Sequence, residues 1–420
     1  MRTHGISLSA VVGLVAVLLV GAMAAPDSFA FDYPETRRGN VIDTLHGISI
    51  PDPYRWLEQD VRESEAVAEW VEAQNEVTFG YLRELPQRER IRDRLEEVFN
   101  YERQSAPQKR GGKYFYTHND GLQDQSVVYM MDSLGAEPRV LFDPNTWSED
   151  GTVALAGFQV SHNGRYVAYG VAEAGSDWRT WHIRDLRTGK DMPDKLEWVK
   201  FSMPQWSLDD QGLYYGLYPR PEESEAYQQS NVDMKLRYHT LGTLQEQDSI
   251  VYERPDEPEW GFAVNRLDDG DRFLILVLWK AGHTNLLSYL DLSAPDEGFK
   301  PIVTEWGAEY DYLGQSEGKL FIRTNDNAPN SRIVMINPLQ PEPENWMEVI
   351  PETDEALQWA SIVGDRLITH YLHHASSRIR IYDFLGKHVR DVELPGIGTA
   401  SGFSGPRHET ETFYTFSSFN

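Results

Sequence analysis

The strongest candidate for chemistry in this sequence is the loop GSDWR at positions 175–179. It places a carboxylate (Asp177), an indole (Trp178) and a guanidinium (Arg179) side by side between two predicted strands. A carboxylate and a guanidinium can form paired hydrogen bonds with a partner surface, and a tryptophan can anchor that partner. The same residues could instead form a local Asp–Arg pair that only holds a turn. Both interpretations stand, because the spacing does not separate them.

Other residue types that commonly carry catalysis do not form a recognisable catalytic motif in this sequence. The serine string GFSG at 402–405 lacks the spacing of a hydrolase nucleophile elbow and is predicted to lie in a loop before the last strand. The sequence has no His-Glu-x-x-His and no phosphate-binding glycine loop. It also has no cysteine, which excludes disulfides, thiolate catalysis and cysteine-based zinc sites. We therefore predict no catalytic residue within these 420 positions and no cofactor.

A cluster of histidines, HYLHH at 370–374, has ligand types suited to a metal. On a strand, His370 and His374 face one side and His373 faces the other. Without a bulge the three rings cannot converge on one ion, so we predict no metal site.

The overall charge also limits the classes of partner. Lys and Arg total 39 against 66 Asp and Glu, which gives a formal net charge of -27. A basic footprint for nucleic acid or for an anionic membrane is therefore missing. We interpret the acidity as a contribution to solubility and expect a monomer.

The candidate loop lies inside a sequence unit that is repeated along the chain. In GRYVAYGVAEAGSDWRTWHIRD at 164–185, strands are predicted at 165–171 and 180–185. Similar units, each a glycine, a strand, a loop and a second strand, open at Gly112, Gly164, Gly212, Gly270, Gly318 and Gly364, and a shorter one opens at Thr410. The successive starts are 46 to 58 residues apart. This period predicts a mainly β protein, a seven-bladed β-propeller over 101–420 whose last blade is incomplete.

Two stretches fall outside the repeat. Residues 1–30 read as a cleavable signal peptide, with an apolar segment at 6–20 followed by small residues, which predicts a periplasmic or secreted protein with no membrane anchor. Residues 31–100 predict helices at 60–85 and 88–99 whose apolar faces have no obvious partner in a propeller. A Pro- and Glu-rich insert at 219–233 predicts an exposed, mobile loop, which could be no more than a tolerated insertion.

Several strings resemble the prolyl oligopeptidase family of serine peptidases. The similarity runs from about Tyr33 to the end of the chain and is carried by PDPYRWLE (51–58), WV and QN (70–75), RGGKYF (110–115), NDGL (119–122), LFDPN (141–145), DGTVAL (150–155), GSDW (175–178) and WVKFS (198–202).

The resemblance implies an α/β-hydrolase domain capped by a seven-bladed propeller that gates access, with short peptides cut after proline. It also implies that the helical segment at 31–100 packs with the hydrolase domain. In that family the Ser, Asp and His of the triad follow the propeller, so we expect all three to lie beyond Asn420. Position by position, Phe201 matches a propeller residue that lines a substrate subsite, and Asp177 matches one that faces an arginine of the hydrolase domain. Trp178 and Arg179 are included as their neighbours.

Two functions remain open at this stage. The first is the N-terminal and propeller portion of an exported serine endopeptidase, inactive as this chain alone and dependent on the missing hydrolase domain. The second is a stand-alone propeller that binds peptides or proteins without catalysis. The first is favoured because an open last blade exposes strand edges, which a self-sufficient module would avoid.

Overall fold

A computed structural model describes residues 31–221 and 230–419. The predicted signal peptide at 1–30 and the middle of the predicted insert, 222–229, lie outside the described residues. The chain divides into two compact units between residues 97 and 98. In the part of the chain that the structure describes, no helix combines the length and the apolarity needed to cross a membrane.

The first unit contains a two-stranded hairpin and two helices. Strands β1 (Val41–Leu45) and β2 (Ile48–Asp52) pair in antiparallel fashion. Helix α1 spans Glu65–Glu84, and helix α2 spans Arg88–Phe99 and crosses into the second unit at its last turn. The predicted range of α2 is confirmed, whereas α1 begins five residues later than predicted.

The two helices bury little apolar surface within the described chain. Helix α1 buries only Val67, and α2 buries no residue, although it carries Ile91, Leu95 and Val98 along one face. A helix with such a stripe is stabilised mainly by packing of that stripe. The expectation of helices with uncovered apolar faces is therefore met for the residues that the structure describes.

We expect the backbone amides of α1 and α2 to exchange rapidly with deuterium in this chain, because local stability follows buried apolar contact. The central strands of the second unit serve as the internal reference and should be strongly protected. Hydrogen-exchange mass spectrometry measures both in one experiment. Protection of the helices equal to that of the reference strands would contradict this expectation.

The second unit consists of consecutive antiparallel sheets. Six sheets each follow the chain in order, and the innermost strand of the first sheet is split into β3 and β4, which pair with successive parts of β5. The strands of the first three sheets are β3 (Arg103–Gln104), β4 (Gln108–Arg110), β5 (Lys113–Asn119), β6 (Val127–Met131), β7 (Arg139–Phe142); β8 (Val153–Val160), β9 (Tyr166–Glu173), β10 (Arg179–Asp185), β11 (Lys190–Val199); β12 (Gln205–Trp206), β13 (Gly212–Leu217), β14 (Lys235–Thr240) and β15 (Ser249–Glu253).

The next three sheets have the same meander order, and a two-stranded sheet follows them. Their strands are β16 (Gly261–Val264), β17 (Phe273–Trp279), β18 (Asn285–Asp291), β19 (Lys300–Val303); β20 (Tyr310–Ser316), β21 (Lys319–Thr324), β22 (Arg332–Ile336), β23 (Met347–Ile350); β24 (Ala356–Val363), β25 (Arg366–His373), β26 (Ser376–Tyr382), β27 (His388–Val392); and β28 (Thr399–Ser404) with β29 (Phe413–Ser417). Single 3-10 turns lie at Arg55–Glu58, Pro144–Thr146, Gln245–Gln247, Pro295–Glu297 and Pro343–Asn345. The fold is a mainly β propeller with six blades of this kind.

The repeat seen in the sequence corresponds to the second and third strands of each blade. Except for Gly212, which begins its strand, the glycines that open the units stand in the turn before the second strand, and Gly164, Gly318 and Gly364 have φ of +65°, +71° and +59°. Side-chain-bearing residues rarely adopt this conformation, which is why the turn selects glycine. The aspartates that close the units cap the next turn: Asp185 Oδ1 accepts from Arg187 N at 2.8 Å.

Large apolar side chains fill the spaces between sheets. The fully buried ones include Trp181, Tyr215, Phe262, Phe273 and Phe321. Aromatic side chains bury the most area per residue and so suit sheets that pack face to face. This placement accounts for the high aromatic content of the sequence.

Buried ionic contacts also join neighbouring sheets. His239 on β14 is completely buried between two carboxylates: Nδ1 lies 2.8 Å from Asp248 Oδ1 and Nε2 lies 3.0 Å from Asp194 Oδ1 on β11. Burial alone would lower the pKa of His239, but the two carboxylates raise it to about 9. Burial likewise opposes ionisation of Asp194, yet its contact with His239 leaves the pKa of Asp194 lowered. This His239 clamp ties the second blade to the third.

A second histidine joins three blades. His162, after β8, places Nδ1 2.8 Å from Asp210 Oδ1 and Nε2 2.9 Å from the carbonyl oxygen of Leu267. Burial lowers the pKa of His162, but the hydrogen bonds to Asp210 and Leu267 dominate and raise it to about 9. The second, third and fourth blades are thereby linked at their inner turns.

The first blade also contacts the two-stranded sheet through charges. Lys109 Nζ lies 2.9 Å from a carboxylate oxygen of Glu409 and 2.9 Å from one of Glu411. Tyr114 donates its hydroxyl hydrogen to Glu411, and its ring meets Phe413 edge-on at 6.1 Å. Residues about 300 positions apart thus meet, so the ring of sheets closes here through side chains.

Candidate functional site

The loop between β9 and β10 is shaped by its backbone and not by an Asp–Arg pair. Ala174 and Gly175 adopt left-handed φ values of +50° and +72°, and Ser176 N donates to Glu173 O at 2.9 Å. Ser176 Oγ then accepts from Trp178 N at 3.1 Å. Of the two interpretations left open, the local Asp–Arg pair is not present. The side chains of Asp177 and Trp178 are therefore not needed to close the turn.

Asp177 instead faces a lysine from the neighbouring strand. Its Oδ2 lies 3.9 Å from Nζ of Lys200, which follows the end of β11. The Asp177 side chain is 64% exposed, whereas that of Lys200 is only 14% exposed. The carboxylate is therefore a solvated and distant partner for a lysine whose side chain is largely buried.

Lys200 is surrounded by aromatic rings. Its Nζ lies 4.9 Å from the ring centroid of Trp178 and 5.1 Å from that of Phe201. Both distances are within the range of cation–π attraction, which strengthens when the cation is removed from water. Three of the four residues predicted from the sequence, Asp177, Trp178 and Phe201, are thus gathered around one lysine.

The backbone leaving β11 has an unusual conformation. Trp198 and Phe201 adopt left-handed φ values of +60° and +55°, although both carry large side chains. Such residues are strained by about 1–3 kcal/mol each and persist only where the surroundings hold them, often at functional positions. The Phe201 ring emerges from this segment 51% exposed. An exposed phenylalanine on a strained backbone makes this region the candidate binding surface.

A wider aromatic cluster extends from the loop. The Trp178 ring meets Trp198 at 5.5 Å and Tyr218 at 6.3 Å, both edge-on. Arg220 lies over the Trp198 ring, 5.5 Å from its centroid. Contacts of this kind hold the indoles in fixed orientations. The surface that they form is rigid and aromatic, with cations on two of its rings.

Arg179, the fourth predicted residue, points to a different place. It lines a cavity of about 300 Å³ together with Trp178, Trp198, Glu173 and Glu197. Within the described ranges, Arg179 makes no ion pair with Asp177. The structure therefore brings Asp177, Trp178 and Phe201 together around Lys200, and it places Arg179 on the neighbouring cavity.

The topology explains how positions 177 and 201 meet. In an antiparallel meander, the connection between the second and third strands and the connection that leaves the fourth strand lie at the same edge of the sheet. The loop at 174–178 is the first of these connections in the second blade, and Lys200 with Phe201 begins the other. Lys200 was not predicted as a site residue, because a lysine between Trp198 and Phe201 has no distinctive pattern in the sequence.

The histidine cluster forms separate contacts. His373 Nδ1 lies 2.5 Å from Glu355, whose carboxylate also pairs with Arg378 and Arg380. His370 Nε2 lies 2.6 Å from Ser377 Oγ, on another side of the sheet. Within residues 31–221 and 230–419, no group of three His, Asp or Glu side chains could hold a metal ion.

Two serines could be mistaken for nucleophiles. Ser377 touches His370, but the buried Nδ1 of that histidine has no hydrogen-bond partner, so the acid that would orient it is missing. The string GQSEG at 314–318 has the Gly-x-Ser-x-Gly spacing and was missed from the sequence. Its Ser316 ends β20 before a tight turn into β21, whereas a nucleophile elbow joins a strand to a helix. Neither serine has the geometry of a triad.

Comparisons with known proteins identify the family. The family model for the N-terminal β-propeller domain of prolyl oligopeptidase matches residues 33–420. The chain is 36% identical over 405 residues to the prolyl endopeptidase of Elizabethkingia miricola, covering 96% of this chain and 56% of that protein. It is 28% identical to the prolyl endopeptidase of Dictyostelium discoideum, covering 92% of this chain and 60% of that one.

Comparison with solved structures points to the same family. A prolyl endopeptidase studied for inter-domain dynamics superposes with a TM-score of 0.82 at 32% identity, covering 92% of this chain and 56% of that one. Prolyl oligopeptidase B of Galerina marginata, solved with a 35-residue hydrolysis and macrocyclization substrate, gives 0.81 at 27% identity, covering 92% and 57%. The chain thus spans little more than half the length of the relatives it matches. It belongs to the prolyl oligopeptidase family, and residues 33–420 correspond to that family's N-terminal β-propeller domain.

Proposed function

We propose that this chain is the N-terminal and propeller portion of an exported serine endopeptidase that hydrolyses short peptides on the carboxyl side of proline. The observation that carries the proposal is the likeness to prolyl endopeptidases across nearly all of the chain, with 36% identity to the Elizabethkingia miricola protein. In this proposal the propeller gates access of the peptide, and the triad belongs to a C-terminal α/β-hydrolase domain.

The candidate site is assigned the peptide-facing role. Phe201 lines a substrate subsite, and Asp177 faces an arginine of the hydrolase domain. The half-exposed ring of Phe201 and the solvated carboxylate of Asp177 support these roles, because both groups are free to meet a partner. Trp178 is assigned to the surface between Phe201 and Asp177.

The hydrolase domain also supplies the surface that the first unit lacks. Apolar side chains on α2 and on the β1–β2 hairpin, among them Ile42, Leu45, Ile48, Ile91 and Leu95, are about half exposed or more. An apolar patch of this kind marks an interaction surface. We assign it to the hydrolase domain. We assign the two-stranded sheet β28–β29 to a seventh blade.

Export is part of the same proposal. The basic and apolar pattern of residues 1–30 supports cleavage after a small residue and release into the periplasm or the medium. N-terminal sequencing of the protein recovered from its source tests this. A mature N-terminus between residues 24 and 31 is expected, and an intact Met1 would contradict it.

We expect the 420-residue chain alone to leave a proline-containing reporter peptide uncleaved. Among the described residues, His162 and His239 are held against carboxylates but contact no serine, and His370, which does contact Ser377, has no hydrogen-bond partner on its other ring nitrogen, so none of them completes a triad. The measurement is release of a chromophore from a peptide that ends in a prolyl amide, with the Elizabethkingia miricola prolyl endopeptidase as positive control. Turnover that a serine-directed inhibitor abolishes would contradict the expectation.

A further inference from the structure

Lys200 contacts three of the four residues predicted for the candidate site. Its ammonium group meets the ring of Trp178 at 4.9 Å, the ring of Phe201 at 5.1 Å and the carboxylate of Asp177 at 3.9 Å. A single cation thus connects the β9–β10 loop with the segment that leaves β11.

The rings hold this cation more firmly than the carboxylate does. The Lys200 side chain is 14% exposed, and its ammonium group lies against two aromatic rings. The ion pair with Asp177 is long and its carboxylate is well solvated, conditions under which such a pair contributes little. The position of the Phe201 ring therefore depends on Lys200 more than on Asp177.

The strain in the backbone strengthens this dependence. The left-handed φ of Phe201 must be held by contacts of its side chain or its neighbours. The ring is half exposed to solvent, and Lys200 supplies one of the contacts that hold it. Loss of the ammonium group would let the ring leave its present orientation.

Lys200 also affects which side chains of a bound peptide can lie against the aromatic rings. The negative faces of aromatic rings attract cations, but here Lys200 already lies over one side of Trp178 and of Phe201, and Arg220 lies over Trp198. Asp177 is the carboxylate that pairs with Lys200, while Glu173 and Glu197 line the adjoining cavity beside Trp178 and Arg179. An incoming positive charge at the Phe201 ring therefore meets a fixed positive charge.

We propose that Lys200 is a positioning residue that also sets charge preference: it holds Phe201 toward the peptide and excludes a cationic side chain from that contact. The peptides favoured at this position carry neutral or acidic side chains. This inference rests on the proposed function, since it assumes that peptides meet Phe201.

The test uses the product of the complete gene and three prolyl reporter peptides in which the residues before proline carry norleucine, glutamate or lysine. We expect the unmodified protein to cleave the norleucine peptide with at least about ten-fold higher kcat/KM than the lysine peptide. Lys200→Met, which keeps the side-chain length and removes the charge, should reduce that ratio about five-fold, which is about 1 kcal/mol and the size of a cation–π contact at an exposed site. Lys200→Arg keeps the positive charge and should therefore retain the ratio of the unmodified protein.

The control is Lys190→Met, at the opposite end of β11, which should leave the ratio unchanged. A loss of packing alone would lower cleavage of all three peptides together, so the ratio separates a charge effect from a structural one. Proline-specific cleavage with an unaltered ratio in Lys200→Met, or a ratio reduced equally in Lys200→Arg, would overturn the role of Lys200. Failure of the unmodified protein to cleave after proline would instead overturn the proposed function.

Discussion

Replacement of His239 by leucine is expected to lower the free energy of unfolding by about 3–5 kcal/mol, because it leaves two buried carboxylates without their cation. Asp194 and Asp248 both point at the ring from within 3.0 Å, and the ring is completely buried. Asp248 also accepts the hydroxyl hydrogen of Tyr215 at 2.6 Å, so the damage should spread to a second buried side chain. Urea or guanidinium denaturation of the 420-residue chain measures the loss.

Two further variants isolate the cause. His388→Leu removes a histidine that pairs with Asp391 at the surface, where both side chains are at least half exposed, and should cost less than about 1 kcal/mol. Adding Asp194→Asn and Asp248→Asn to His239→Leu removes the buried charges and should recover part of the lost stability. An equal effect of His239→Leu and His388→Leu would contradict the role of the His239 clamp.

The second large effect is a loss of stability in mild alkali. The pKa values of His162 and His239 are raised to about 9 in the folded chain, against about 6.5 for an unfolded histidine. Their stabilisation is therefore fully present below about pH 6.5 and is lost as the pH rises through about 9. Each histidine contributes at most about 3 kcal/mol across this window.

Denaturant titrations at pH 6.5, 8 and 9.5 measure this loss. Burial also raises the pKa of Asp271, to about 7. The stability linked to Asp271 is lost as the pH rises from the pKa of an unfolded aspartate to about 7, which is mostly below the range of the two histidines. The buried tyrosines, including Tyr169 and Tyr214 with pKa values raised to about 12, titrate above it. The His162→Gln/His239→Gln double variant should have a flatter profile between pH 6.5 and 9.5. A wild-type profile that is flat or rises over this range would contradict the assignment.

The parts of the fold that could be predicted from sequence are those with local causes. Turn glycines such as Gly164 and capping aspartates such as Asp185 mark the two middle strands of each blade, because turn conformations act on adjacent residues. Short inner strands, such as β12 with two residues, carry too little pattern to stand out. Helix α1 begins later than its periodicity predicts, because Asp60 holds residues 60–63 in a turn through Arg62 N and Glu63 N.

The candidate site was only partly accessible from sequence. The GSDWR loop marked Asp177, whereas Phe201 came only from the resemblance to the family, and their spacing of 24 residues carries no signal until the sheet is folded. Lys200 reads as an ordinary solvated lysine at a strand end. The partners of His239 are 9 and 45 residues away, so no spacing rule connects them. What was missed depends on non-local contacts, which a pattern of neighbouring residues does not record.

The central claim is that these residues serve a proline-specific serine peptidase. Its most direct test is hydrolysis of a set of peptides by the product of the complete gene, analysed by mass spectrometry. We predict cleavage on the carboxyl side of proline, abolished by a serine-directed inhibitor and by replacement of a serine encoded after position 420. Cleavage without regard to proline, or a product that binds such peptides and never cleaves them, would contradict the claim.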